Sequence, residues 1–138
     1  MTLSSVLIAL SAAILLLLGL AHLLFTFRGN KFDPRDAALK ARLMQISPVI
    51  SRETTMWRAW VGFNASHSYG AILFGLVYGY LALVHSGFLF ASWFLLGLGL
   101  LTLAGYTVLA RLYWFSVPLR GVSLATVLYS LGLVAHFA

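Results

Sequence analysis

Long apolar runs separated by short polar stretches dominate the pattern of this chain. Four such runs occur, at about residues 3–27, 57–84, 88–115 and 119–137. Each is about as long as the ~20 residues that a helix needs to cross ~30 Å of hydrocarbon. The runs are continuous rather than alternating, which disfavours the strands of an outer-membrane barrel. The pattern therefore predicts an all-α, integral membrane bundle of four transmembrane helices.

The connection between the first two runs carries a further, shorter helix signal. The stretch from Asp33 to Asp36 is typical of a helix start, with Asp33 as the cap and Pro34 in the first turn. Apolar residues then recur at helical spacing, at Leu39, Leu43 and Ile46. We expect a short amphipathic helix at about residues 34–46 that lies on the membrane interface. It is either an ordinary connecting helix or a cover over a site beneath it.

Composition agrees with a single membrane domain over residues 1–138. Apolar residues make up 62% of the chain and charged residues 9%, and the mean hydropathy is +0.97, far from soluble globular proteins. The first run is longer than the apolar core of a signal peptide, so we expect it to be a retained span. Cysteine is absent, which excludes disulfides, thiolate metal sites and cysteine nucleophiles.

Basic residues indicate the orientation of the spans. All nine lie in or beside the first and third connections: Arg28, Lys31, Arg35, Lys40, Arg42, Arg52, Arg58, Arg111 and Arg120. The positive-inside rule then predicts a multi-pass protein of the inner (cytoplasmic) membrane with both termini outside. The net charge of +6 favours anionic lipid headgroups at the cytoplasmic face as partners, and no motif indicates nucleic-acid binding.

Small residues recur at four-residue spacing within the spans, which favours close helix packing and a possible homo-oligomer. The four-residue rows are Gly62, Ser66 and Gly70, and Gly75 and Gly79. The third run has Gly97, Leu101 and Gly105 on one side, and the fourth run has Gly121, Ala125 and Gly132.

Polar side chains within the apolar runs are the candidates for function, because they cost free energy in hydrocarbon unless they are partnered. His22 lies six residues before Arg28, and His67 lies nine residues after Arg58. At ~1.5 Å per residue, both imidazoles are expected ~9–14 Å inside the cytoplasmic edge, where they can face each other. Asn64 shares a helix stripe with His67, and its amide needs several hydrogen-bond partners at that depth.

The third run brings further polar and aromatic side chains to the same leaflet. The resulting candidate ligand-binding set is His22, Arg58, Trp60, Asn64, His67, Tyr106, Arg111 and Tyr113. Each has a simpler explanation: the histidines as joints between helices, the arginines as snorkelling anchors, and the aromatic residues as an interfacial belt. A further alternative is that His22 and His67 hold the iron of a haem b. No carboxylate lies within any run, which disfavours a carboxylate proton relay.

Two segments resemble those of an uncharacterised family of small four-span bacterial membrane proteins. Residues 57–70 read W-R-A-W-V-G-F-N-A-S-H-S-Y-G, and residues 113–121 read Y-W-F-S-V-P-L-R-G. That resemblance covers nearly the whole chain and implies no activity.

A fainter resemblance is to the MAPEG family of four-span, usually trimeric membrane proteins of eicosanoid and glutathione metabolism. The shared features are the size, the long first connection, an Arg-Ala pair at 58–59 before Asn64, and an Ala-Arg-Leu at 110–112 before Tyr113. The chain differs in its spacing, with Asn64 six residues after Arg58 rather than four, and in having His67 where that family has glutamate. The resemblance implies a transferase or isomerase that binds glutathione.

Three hypotheses follow from the sequence. In the first, the polar cluster binds a lipid-like or amphipathic small molecule, with or without catalysis. In the second, the chain is a structural or accessory membrane subunit whose polar residues only join helices. In the third, it is a bis-histidine haem protein.

Overall fold

A computed structural model describes residues 1–138, all of them in helices or the connections between helices. The helices are α1 (Leu3–Phe27), α2 (Ala37–Leu43), α3 (Met56–Val84), α4 (Ser86–Ala91), α5 (Trp93–Tyr113) and α6 (Ser116–Phe137). Of these, α1, α3, α5 and α6 are long and apolar enough to cross a membrane. The predicted all-α class with four candidate spans is confirmed.

The chain forms two compact units. The larger unit contains residues 1–18 and 71–138, and the smaller unit contains residues 19–70. Helices α1 and α3 each contribute one end to each unit. The smaller unit thus consists of the last part of α1, the first part of α3 and the whole connection that contains α2.

Two tyrosines dominate the core of the larger unit. The ring of Tyr129 is fully buried and packs edge-on against Tyr78, with 5.9 Å between ring centroids. The Tyr129 hydroxyl donates to the carbonyl oxygen of Leu96 at 3.1 Å, and the Tyr78 hydroxyl donates to that of Leu95 at 2.7 Å. Both phenols therefore bury large rings without leaving a polar atom unpaired, as an apolar surrounding requires.

Glycines permit close helix approach at some of the predicted positions and not at others. A Cβ added at Gly75 would lie 2.6 Å from the Cβ of Leu16 and 2.8 Å from the carbonyl oxygen of Ala12, so α1 and α3 meet there. Gly62, Gly97 and Gly105, by contrast, face open space, with nothing within 4 Å of an added Cβ. The homo-oligomer inferred from these rows stays a prediction.

The third apolar run is not one continuous helix from 88 to 115, as its hydropathy predicts. Ser92 adopts an extended conformation (φ −105°, ψ 98°) and separates α4 from α5. Its side chain accepts a hydrogen bond from the backbone N–H of Leu95 at 3.3 Å, so it serves as the N-cap of α5. Hydropathy does not detect this break, because the residues on both sides of Ser92 are apolar.

Helix α2 is shorter than the predicted 34–46 and starts three residues later. Asp36 is the N-cap, and its carboxylate accepts from the backbone N–H groups of Ala38 at 2.8 Å and Leu39 at 3.3 Å. The expected cap, Asp33, pairs with Lys40 instead. The assignment of Asp33 as cap is therefore wrong, because either aspartate suits the pattern and a side-chain partner takes the first one.

Gly99 provides a test of the core of the larger unit. An added methyl group at Gly99 would overlap the Tyr129 hydroxyl and lie 2.8 Å from the Tyr78 ring. We expect Gly99→Ala to destabilise the protein by about 1–3 kcal/mol through overpacking. The matched control is Gly97→Ala on the same helix, which faces open space and should be neutral or up to ~1 kcal/mol more stable. Thermal unfolding in detergent measures both variants, and equal effects would contradict the described packing.

Candidate functional site

A hydrogen bond between α1 and α3 lies at the centre of the smaller unit. His22 Nε2 is 3.0 Å from Asn64 Oδ1. Because an amide oxygen only accepts, this contact requires the imidazole proton to be on Nε2. The amide nitrogen of Asn64 donates to the carbonyl oxygen of Trp60 at 2.8 Å, one turn earlier on α3. Both ends of the Asn64 side chain are thus occupied.

The His22 ring also contacts two other rings. His67 lies edge-on to it, with 5.3 Å between centroids and an interplanar angle of 71°. Phe32, from the first connection, lies 4.5 Å away at 39°. The two histidines that the sequence placed at similar depth are therefore in direct contact, and both are only half-buried.

The first connection folds back onto the ends of α1 and α3. The indole N–H of Trp60 donates to the carbonyl oxygen of Phe32 at 3.1 Å, which fixes the backbone beside the His22 ring. Further along, the backbone N–H of Met56 donates to the carbonyl oxygen of Ile46 at 2.8 Å. These contacts hold the connection at its start and near its end.

The only salt bridge of the chain lies within this connection. Lys40 Nζ is 2.7 Å from Asp33 Oδ2. The same ammonium group lies over the indole ring of Trp57, 4.8 Å from its centroid. A second cation, Lys31, lies 5.1 Å from the centroid of the Phe25 ring. Cations over aromatic faces are favourable contacts that gain strength as water is excluded.

These residues surround a small open cleft, which we call the connection cleft. It is lined by Phe25, Thr26, Gly29, Phe32, Asp33, Trp57, Trp60, Val61 and Asn64. Its cavity volume is about 20 Å³, room for about one water molecule. Asp33 is the one charged residue among the lining residues, and four of the nine are aromatic.

The structure brings together half of the predicted ligand-binding set. His22, Trp60, Asn64 and His67 are neighbours in the smaller unit, and Trp60 and Asn64 line the connection cleft. Arg58 is exposed in the first turn of α3 and does not line the cleft.

The remaining three predicted residues belong to the larger unit. The Tyr106 ring packs against Trp114, with centroids 6.0 Å apart, and Arg111 and Tyr113 are exposed at the end of α5. Their role in ligand binding stays a prediction.

The ligand-binding set predicted from the sequence does not include four residues of the site: Phe32, Asp33, Lys40 and Trp57. The only available signal was that acidic, basic and aromatic residues occur together in a connection predicted to cover a site. Which of them meet depends on how the connection returns to α1 and α3, and spacing does not encode that return.

The haem alternative finds little support in this geometry. A haem between His22 and His67 needs a flat slot the width of a porphyrin, but the two rings touch and the Nε2 of His22 already contacts Asn64. The other two histidines are engaged separately, His85 with the Tyr80 hydroxyl at 3.0 Å and His136 against the Phe90 ring at 4.3 Å. No three or more His, Cys, Asp or Glu residues lie together as a metal-binding group.

A double-mutant cycle tests the central hydrogen bond. We expect His22→Phe and Asn64→Leu each to destabilise the protein, with a coupling free energy between about 0.6 and 1.7 kcal/mol, the mean and the maximum measured for hydrogen bonds between membrane helices. Ser66→Ala is the control, because the Ser66 hydroxyl bonds only its own helix, at the carbonyl oxygen of Phe63. Additive effects of the two central substitutions, measured by reversible unfolding in detergent, would exclude the bond.

No known protein family, curated protein or solved structure matches the chain. The two family resemblances drawn from the sequence therefore stay predictions. Function is inferred from the connection cleft and the residues around it.

Proposed function

We propose that this protein is a small helical membrane protein that binds a lipid-like or amphipathic small molecule in the connection cleft. The observation that carries the proposal is the composition of the cleft. Aromatic rings, one carboxylate and one amide meet at the point where two candidate spans join a polar connection. An amphiphile presents the same combination of a polar head beside an apolar body.

The cleft is proposed to face the cytoplasm. Seven of the nine basic residues lie in or beside the first connection, which the positive-inside rule assigns to the cytoplasmic side of an inner membrane, with both termini outside. The same positive charge attracts anionic headgroups to this surface.

Cysteine labelling tests this orientation, because the chain contains no cysteine. Ser47→Cys lies in the first connection and Gly87→Cys at the start of α4, and both positions are exposed. A membrane-impermeant maleimide should label Gly87→Cys but not Ser47→Cys in intact cells. The reverse pattern would contradict the orientation.

Apolar surface beside the cleft accommodates the tail of the ligand. Trp60 and Phe25 line the cleft and remain 47% and 37% exposed, and Phe63 on the same helix as Trp60 is 74% exposed. In the state described, the cavity is too small for a whole headgroup. Helix α2 buries none of its residues, and Lys40 is its residue in contact with the lining residues Asp33 and Trp57. We propose that displacement of α2 costs little and frees these two residues for the ligand, which is the covering role that the sequence left open.

The residues that line the cleft suit an amphiphile better than glutathione, the ligand that the MAPEG resemblance implies. Glutathione carries two carboxylates, whereas the charged group of the cleft is the carboxylate of Asp33. Arg58, which belongs to the Arg-Ala pair shared with that family, lies outside the lining. Like charges in a small cleft repel, so a ligand with a cationic or neutral head fits better.

One observation favours the second candidate function, a structural or accessory subunit. Every buried side-chain nitrogen and oxygen has a hydrogen-bond partner within the chain. A set of polar residues that serves only to join helices has the same property. Ligand binding is therefore the property that separates the two candidates.

Native mass spectrometry of the detergent-extracted protein tests the proposal. We expect a bound amphiphile on the wild type and its loss in Trp60→Leu, which removes both a wall of the cleft and the hydrogen bond to Phe32. Trp93→Leu is the matched control, because Trp93 is exposed and stacks on Phe137 in the larger unit. An unliganded wild type, or equal occupancy in the two variants, would favour the structural alternative.

A further inference from the structure

We infer that the connection cleft receives an alkylammonium group, which displaces the ammonium group of Lys40 from Asp33 and Trp57, two residues that line the cleft. The inference rests on the proposed function, since it names the polar head of the amphiphile. It also gives a role to the Asp33–Lys40 pair, which the start of α2 does not require because Asp36 is the N-cap.

The surroundings of the Lys40 ammonium group are those of a recognition site for an organic cation. Its nitrogen contacts the carboxylate of Asp33 at 2.7 Å and lies 4.8 Å from the centroid of the Trp57 ring. Both Asp33 and Trp57 line the cleft. A carboxylate together with the face of an indole is an arrangement by which proteins bind ammonium ligands.

Lys40 is held weakly enough to be replaced. It lies on α2, a helix of seven residues with none buried. The side chains of Lys40 and Asp33 are 32% and 24% exposed, and ion pairs with such access to solvent contribute little to stability. A ligand ammonium group that makes the same two contacts competes against a tethered side chain, so the additional affinity that displacement requires comes from the apolar tail, which Lys40 lacks.

The charge and the volume of the cleft limit the chemical class of the ligand further. With Lys40 displaced from Asp33, the lining presents one carboxylate and no basic side chain, so it suits a cation rather than a free anion. The cleft is small, about 20 Å³, which favours a compact primary ammonium over a trimethylated one. Lys31, over the Phe25 ring at the edge of the cleft, offers a positive charge to an adjoining phosphate. A phosphoethanolamine headgroup has both the primary ammonium group and the phosphate.

Substitutions of Lys40 and Asp33, the two partners of the salt bridge, are expected to change lipid retention in opposite directions. Protein in lipid nanodiscs of phosphatidylglycerol is titrated with phosphatidylethanolamine, and bound lipid is counted by native mass spectrometry. Lys40→Met keeps the length of the side chain but removes the competing cation, so retention of the ethanolamine lipid should rise by up to about fivefold. Asp33→Asn removes the acceptor and should lower it by about tenfold.

The control is Glu53→Gln, which removes an exposed carboxylate of the same connection and should leave retention unchanged. Thermal unfolding of all three variants verifies that each is folded. A purely structural role for the salt bridge would lower stability and retention alike in Lys40→Met and Asp33→Asn. That result would overturn the inference, as would a rise with Asp33→Asn and a fall with Lys40→Met, the signature of an anion site.

Two further measurements complete the test. The first shows whether the site binds the ammonium group alone or the phospholipid headgroup, and the second distinguishes failure of this inference from failure of the proposed function. Displacement of bound lipid by millimolar free ethanolamine supports a site for the ammonium group itself, whereas retention that responds only to the phospholipid supports a site that also reads the phosphate. Binding that requires Trp60 but shows no preference for ethanolamine lipid would overturn this inference and leave the proposed function intact. Absence of any Trp60-dependent lipid would overturn both.

Discussion

The structure depends on one constraint: a polar side chain within an apolar helix must find its hydrogen-bond partner inside the protein, because hydrocarbon supplies none. In the larger unit, the Ser11 hydroxyl donates to the carbonyl oxygen of Ala125 at 2.7 Å, which ties α1 to α6. Thr107 and Thr126 share a bond of 2.9 Å that ties α5 to α6. With the Tyr129 contact to Leu96, such bonds act together with the close apolar packing at Gly75 and Gly99 to fix how the helices meet.

The need for hydrogen-bond partners within the protein also shapes the smaller unit, but there some of the polar pairs are open to solvent. His22 and Asn64 satisfy each other across α1 and α3, and Trp60 extends the network to the backbone of Phe32. Beyond Phe32 the polar groups are partly exposed, and Lys40 and Asp33 have each other rather than a buried partner. The connection cleft lies where polar pairs that are partly buried give way to a pair that solvent can reach, which is why we propose it as the ligand-binding site.

The sequence predicts the parts of this arrangement that follow from length and periodicity. Four apolar runs determine the candidate spans, and counting from Arg28 and Arg58 places His22 and His67 at one depth. It does not predict features that depend on tertiary contacts: the break at Ser92, where a serine caps a helix inside an apolar run, and the selection of Asp36 over Asp33 as a cap. The cleft is also a feature that depends on tertiary contacts, since Trp57 and Lys40 meet only after the connection folds back.

The most direct test of the central claim is a measurement of what the Asp33 carboxylate contacts in a membrane. Solid-state NMR of protein with ¹³C-labelled aspartate and ¹⁵N-labelled lysine, in bilayers containing ¹⁵N-ethanolamine lipid, reports whether Asp33 Cγ couples to Lys40 Nζ or to the headgroup nitrogen. Our account predicts coupling to Lys40 in bilayers without ethanolamine lipid and its replacement by coupling to the headgroup when that lipid is present. Coupling to Lys40 alone under both conditions would contradict it.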